Sequence, residues 1–427
     1  MNCRPIHVGL SAICWLVLTL SVAPAADVVD AAKIEQIAGP LTQGGFIEGL
    51  AIGLINEHGT QTLGLGRISA EKPTPPTPDT VFEIGSITKT FTGIVLAKMV
   101  EDGQLKLDDP AQMHLGMTMF VPRGKTRQIT LLDLATHSSG LPRMPSNFNP
   151  KDPANPYADY TVAQMGSFLL KYKLSREPGD KSEYSNLGMG LLGHILQLKS
   201  GLDYESLVEK TITVPLGMTH TKITLDEDDL ARLAPGHNFD GEQVSNWDLP
   251  TLAGAGAIRS TSGDLLKYLS ANLGFTHSEL DKAIALSHKM HFETDDTGNG
   301  VGLGWQIQQG GKRIWHNGGT GGYSTFCGML PDKKVGVVVL GNTSSEYVTQ
   351  LGFKLLKLAG GDDVEPFKLP VVTQVAEEKL VPLVGKYRLN IGLVADVTRE
   401  GNRLFVQLTG QPRIGLYPTS DTNFYCR

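Results

Sequence analysis

Cysteine is scarce in this chain: four among 427 residues, two of them, Cys3 and Cys14, within the first 25. That excludes a disulfide-stapled scaffold. No CxxC, HExxH or HxHxD pattern occurs, so no metal or other cofactor is expected. Charge is sparse too: Asp, Glu, Lys and Arg make up 19% of residues, the net charge is −6, and no dense Lys/Arg run appears. A basic nucleic-acid footprint is thereby excluded. After residue 22 no apolar stretch approaches the ~20 residues of a membrane span. The nucleophile elbow G-x-S-x-G is also missing, since Gly322-Tyr-Ser-Thr-Phe326 fails at its last position.

Residues 1–25 read as an export signal. Arg4 and His7 precede an apolar run over 8–22, and Ala23-Pro24-Ala25 offers a small-x-small cleavage site. The expected mature protein is periplasmic or secreted, with no membrane span. It retains two cysteines, Cys327 in an apolar strand-like run and Cys426 next to the last residue. Two separate thiols are expected rather than a disulfide. Forty-nine glycines and 24 prolines imply many turns.

Periodicity divides the rest. Residues 28–38 read as an amphipathic helix, and 50–56 with 60–67 as a hairpin around Glu57-His58-Gly59. A helical pattern dominates from Ser86 to about residue 285, with Thr261-Ser-Gly-Asp264 read as a capping box. Strand character returns at 302–308, 313–316, 323–330 and 335–340, before a helix near 348–358. Strands at both ends with helices between predict one sheet closed by distant segments, the helical middle forming a second lobe. The expected units are a main body over 26–362, a linker over 363–382 and a short β-rich module over 383–427.

The chemistry concentrates at three places. Ser86-Ile-Thr-Lys89 stands where a strand runs into a helix, and positions three apart share a helix face. The Lys89 amine can therefore reach and activate the Ser86 hydroxyl. Ser69-Ala-Glu-Lys72 has the same spacing, but Pro73, Pro75 and Pro76 forbid a helix there. Tyr184-Ser-Asn186 follows a turn-rich approach and precedes an apolar helix, so a loop aims a phenol and an amide. Nearby cations are expected to ease ionisation of that phenol. His316-Asn-Gly-Gly-Thr-Gly-Gly322 carries four glycines in seven residues, which lets a substrate backbone lie close. There His316 offers a hydrogen-bond donor or a positive charge, and Gly319 N–H an oxyanion donor beside Ser86 N–H. His137, in Leu134-Ala-Thr-His-Ser-Ser-Gly-Leu-Pro142, is read as a turn residue. Asp226-Glu-Asp-Asp229 is read as a solvated helix start.

Ser86-x-x-Lys89, Tyr184-x-Asn186 and His316-x-Gly318, in that order, resemble the active-site motifs of the class C β-lactamase and D,D-peptidase superfamily, penicillin-binding-protein-like serine hydrolases of S12 type. Val214-Pro-Leu-Gly-Met218, Gly302-Leu-Gly-Trp305 and the His137 segment are similar as well. The resemblance covers residues 35–360. It implies an α/β (α+β) fold, an antiparallel sheet flanked by helices plus an all-helical lobe, with the active site between. It further implies Ser86 as the acylated nucleophile, Lys89 as its proton partner and Tyr184 as general base. Substrate contacts would come from Asn186, His316, Gly318 and Gly319. The implied substrate is a β-lactam or related amide; D-alanyl peptides, as for a D,D-carboxypeptidase or D-aminopeptidase, and esters, as for a carboxylesterase, are the alternatives. A non-catalytic β-lactam sensor is a further one. Two departures stand out: His316 occupies the lysine position of K-T-G, and Met144 stands where class C enzymes tend to have glutamine. The tail over 383–427 resembles a lipocalin-like module that stops early.

Overall fold

Two apolar strands far apart in the chain, both buried almost throughout, join edge to edge. The computed structural model describes residues 28–117, 119–389, 394–408 and 413–426; the expected export signal lies outside them. The strands of its two larger sheets are β1 (Gly49–Asn56), β2 (Gly59–Gly66), β3 (Phe292–Glu293), β4 (Gly300–Val301), β5 (Gln306–Gln308), β6 (Arg313–Gly319), β7 (Ser324–Leu330) and β8 (Val335–Gly341), then β9 (Gly385–Arg388), β10 (Val394–Glu400), β11 (Arg403–Leu408), β12 (Arg413–Pro418) and β13 (Phe424–Cys426). The first eight form one antiparallel sheet in the order β2-β1-β8-β7-β6-β5-β4-β3. Its closure is the pairing of β1 with β8, in which Ile52 faces Val339. The predicted hairpin is the β1–β2 pair, with Asn56 opposite Gly59.

Period-two alternation gives this sheet two apolar faces. Leu50, Ile52, Leu54, Val337 and Val339 meet α1 (Ala31–Gln43) and a late helix, Tyr347–Ala359. Ala51, Ile55, Val338 and Leu340 point the other way, into the core shared with the helical lobe. Three helices of that lobe hold the site: α2 (Thr88–Glu101), α3 (Asn186–Ser200) and the one-turn α4 (Ala253–Gly256). α2 is buried on all sides, every residue from Thr88 to Ala97 included. A helix without a polar face is a core helix, so it has nowhere to slide. No described helix is long and apolar enough to cross a membrane.

Thr261 accepts from Asp264 N as a helix cap, but the Asp264 carboxylate turns away to His220 N, Thr221 and Lys267, so the reciprocal half of the box is missing. Complete capping boxes occur instead at Thr130/Asp133 and Thr161/Gln164. Asp226 caps the helix Glu227–Arg232, and its carboxylate pairs with Lys222. Cys327 is buried and free.

β9 to β13 form a second antiparallel sheet in simple sequential order. Its own core is small: Val375, Leu380 and Leu404 are buried there. It leans on the main body, with Tyr425 stacked on Phe46 at 6.0 Å.

Candidate active site

The Ser86 turn is made by backbone first. Val81–Glu83 pairs with Arg259–Thr261, and the chain then turns through Gly85 (φ 49°) into one 3-10 turn that feeds α2. A Cβ on Gly85 would stand 2.8 Å from Gly319 N, so only glycine lets β6 approach this closely. Ser86 is half-buried at the surface of the turn, while Lys89, on the first turn of α2, is wholly buried. Lys89 Nζ lies 2.8 Å from Ser86 Oγ and donates to the main-chain carbonyl of Ala255 on α4 at 2.6 Å. Burial, and then the Arg143 charge, hold the Lys89 ammonium well below the ordinary lysine range. The result is an amine able to accept a proton. The rival Ser69 only turns a loop, accepting Lys72 N at 3.1 Å.

Tyr184 sits over this pair, with Lys89 Nζ 4.7 Å and the Arg143 guanidinium 5.1 Å from its ring centroid. The expected easing of its ionisation is reversed. Burial pushes the phenol above its usual range and outweighs the lowering by the Ser86 hydrogen bond and by Arg143. Ser185, next in the chain, caps α3 by accepting Gly188 N at 2.8 Å. Its own N–H donates to His137 Nδ1 at 3.2 Å, and the His137 ring lies 4.5 Å from the Tyr184 ring. His137 therefore does more than shape a turn, although its φ of 60° shows that it shapes one too. Asn186 Nδ2 rests 3.9 Å from Met144 Sδ, and Asn186 Oδ1 is buried without a hydrogen-bond partner.

β6 closes the other side. Gly318 is required there, since a Cβ would fall 2.0 Å from Ile84 O. Gly321 and Gly322 serve similar close packing against Trp247 and Gly236, so three of the four glycines make room for protein rather than substrate. His316 departs from expectation. It is buried, its Nδ1 lies 2.6 Å from Asn317 O, and burial, with Lys89 second, brings its pKa down to about 3. A neutral imidazole cannot supply the positive charge anticipated at this position.

Ser86, Tyr184, Gly318 and Gly319 share one cleft of about 410 Å³ with Asn317, Ser344, Ser345 and Thr349. Four more residues line it, none from a sequence motif: Arg143, Phe239, Ser324 and Glu346. Cavities of about 500 and 520 Å³ lie elsewhere and contain neither Ser86 nor Tyr184. Size therefore does not mark the site, whereas the serine–amine contact does. Chemically, the cleft offers a serine hydroxyl, a buried amine behind it whose charged form is disfavoured, a phenol in contact with both, and β6 backbone beside Gly85. No cluster of potential metal ligands occurs among the described residues.

Comparison with known proteins gives a consistent picture. A family profile described as "Beta-lactamase" matches residues 34–357. A β-lactamase from Pseudomonas fluorescens is 29% identical over 345 residues, covering 72% of this chain and 92% of that protein. A D-alanyl-D-alanine-carboxypeptidase/endopeptidase from Escherichia coli K12 is 30% identical over 331 residues, covering 74% and 83%. Among solved structures, an octameric penicillin-binding protein homologue from Pyrococcus abyssi superposes with a TM-score of 0.69 at 27% identity, covering 93% of each chain. A β-lactamase/D-alanine carboxypeptidase from Yersinia pestis gives 0.67 at 26%, covering 77% of this chain and 97% of its own.

Proposed function

This chain belongs to the β-lactamase family of serine hydrolases, and we propose that Ser86 is the residue it acylates while opening a β-lactam or related D-alanyl-type amide. The observation that carries this reading is the 2.8 Å contact between Ser86 Oγ and the buried, easily deprotonated Lys89 amine. As Oγ bonds to the substrate carbonyl carbon, its proton passes to Lys89 Nζ. The Ser86 and Gly319 N–H groups receive the developing oxyanion. Tyr184, held as a phenol between Ser86 and Arg143, relays a proton to the departing nitrogen as the C–N bond breaks. Water then attacks the ester, the proton path runs in reverse, and Ser86 is regenerated. Asn186 is assigned to the substrate amide.

Neutrality of His316 favours a second reading, ester hydrolysis. With His316 neutral, a substrate lacking a carboxylate loses nothing there, and the cation lining the cleft is Arg143, from a loop of the helical lobe. Export to the periplasm or medium is part of the same proposal.

One experiment separates these readings: rates on a chromogenic cephalosporin, a D-Ala-D-Ala peptide and a p-nitrophenyl ester, with Ser86→Ala as control. Ser86→Ala is expected to abolish every activity and also labelling by a fluorescent penicillin. Survival of any activity near the wild-type rate overturns Ser86 as nucleophile.

A further inference from the structure

The hairpin formed by Gly236–His237 and Gln243–Val244 touches both the cleft and the second sheet through its tip. Its base is fixed to the main sheet: His237 N donates to Gly322 O and Asn342 O, and Ser344 N donates to His237 O at 2.9 Å. Its tip is self-contained, with Asn238 Oδ1 accepting Asp240 N at 2.9 Å and Glu242 N at 3.0 Å. Phe239 projects from this tip, 42% exposed, and lines the cleft with Ser86 and Tyr184. A large, partly exposed apolar ring at the mouth of the cleft offers a contact surface to substrate.

The next residue faces the other way. Asp240 accepts from the Arg403 guanidinium of β11 and, at 3.1 Å, from the Tyr417 hydroxyl of β12. Arg403 is itself oriented, donating to Tyr417 OH at 2.5 Å and lying 4.7 Å from the Tyr417 ring centroid and 5.1 Å from that of Phe405. Gly415 keeps the space open: a Cβ there would fall 2.3 Å from Arg403 Nη2 and 2.5 Å from Asp240 Oδ1. Two donors on two strands converge on one carboxylate, and a missing side chain makes the approach fit.

We infer that this clasp makes the C-terminal sheet a positioning element for Phe239, so that the second sheet sets how well the cleft discriminates substrates by the size of an apolar substituent. Holding Asp240 fixes the hairpin tip, and adjacent backbone carries Phe239 with it. Released, the tip retains its internal hydrogen bonds but can swing on its base, and the ring no longer offers one surface. The preferred substrates are acyl groups bearing an aromatic or branched apolar group. This rests on the reading of Ser86 as nucleophile.

The test compares p-nitrophenyl phenylacetate with p-nitrophenyl acetate for the wild type, Phe239→Ala, Arg403→Gln and Gly415→Val. The wild type is expected to favour the larger ester by about tenfold or more in kcat/KM, the range a buried apolar contact supplies. Arg403→Gln should cut that preference about fivefold, through KM and with acetate turnover unchanged, and Phe239→Ala should cut it at least as far. Gly415→Val should match Arg403→Gln. A preference that survives Arg403→Gln overturns the inference, as does an equal loss on both esters, which is what plain destabilisation gives. If the wild type cleaves neither ester, the hydrolytic reading has failed on these substrates, and the clasp is then read from Phe239→Trp fluorescence. Identical emission and quencher access with and without Arg403→Gln overturn it there.

Discussion

At Lys89 the protein keeps an amine in a place where an ammonium is poorly solvated and has no carboxylate partner. The sign of the effect is clear: burial disfavours the charged form, so the amine is the resting state over more of the pH range than for an exposed lysine. Hydrolytic kcat/KM is therefore expected to fall as pH drops through the depressed Lys89 value, a fall lying well below the ordinary lysine range. A profile that rises only near the ordinary lysine range, about 10.4, removes Lys89 as base. Lys89→Met should lower kcat by about 10²–10⁴-fold, the usual worth of a positioned proton acceptor. Tyr184→Phe should lower kcat within the same range with little change in KM, measurable on the same ester. Of these residues, the sequence made Ser86, Lys89 and Tyr184 legible because each sits in a short local pattern. Arg143, Phe239 and Glu346 could not be found that way: each belongs to a loop or a helix start whose place at the cleft depends on contacts across the fold. The charge state of His316 was equally out of reach, since it depends on burial that no local pattern encodes.

Between residue and fold lies α2, whose register decides whether Ser86 and Lys89 meet. Leu303 presses so closely on it that a Cβ on Gly93 would lie 1.9 Å from Leu303 O, and one on Gly304 would lie 2.1 Å from Lys89 O. Main-chain oxygens cannot rotate away, so the helix itself must move. Gly93→Ala is expected to cost about 1–3 kcal/mol by overpacking, read as a lower urea midpoint. It should also slow acylation, because the shift travels along α2 to Lys89. An unchanged midpoint removes the argument. The strands over 313–340 and the first hairpin were legible from short alternating or apolar runs between turns. The helix start at Thr261 was legible too, but the missing reciprocal half of its box was not, since Thr261 and Thr130 carry the same T-x-x-D spacing and only the tertiary partners of Asp264 separate them.

For the whole molecule, closure of one sheet by β1 and β8 follows from apolar strands at both ends of the sequence, and it was anticipated. What the sequence hid is how much titratable nitrogen the fold buries. His137, His288 and His316 all have pKa values pulled down by burial, His288 to about 4 and His316 to about 3. Below pH 6.5 the unfolded chain binds protons that the folded chain refuses, so stability rises with pH there. Each group is expected to remove on the order of 1 kcal/mol per pH unit as pH falls from 6.5, until its own folded pKa is reached. Denaturant midpoints between pH 7 and pH 5 should show this loss well above the carboxylate range. A flat profile down to pH 5 would mean that the three rings are solvated. Membership of a family fixes none of this, because it depends on which buried sites hold imidazole.

The Ala255 carbonyl that receives the Lys89 amine belongs to the backbone, and every amino acid carries the same one. Alanine scanning is blind to it, and side-chain exchange at position 255 tests only whether the 2%-exposed site has room. Among substitutions found by screening for activity, the partner of Lys89 is therefore expected to leave no trace of its own. Its loss should surface under other names, as changes at Gly254, Thr92 or Tyr204, where Thr92 Oγ1 holds the neighbouring Gly254 carbonyl at 2.7 Å and meets Tyr204 OH at 2.6 Å.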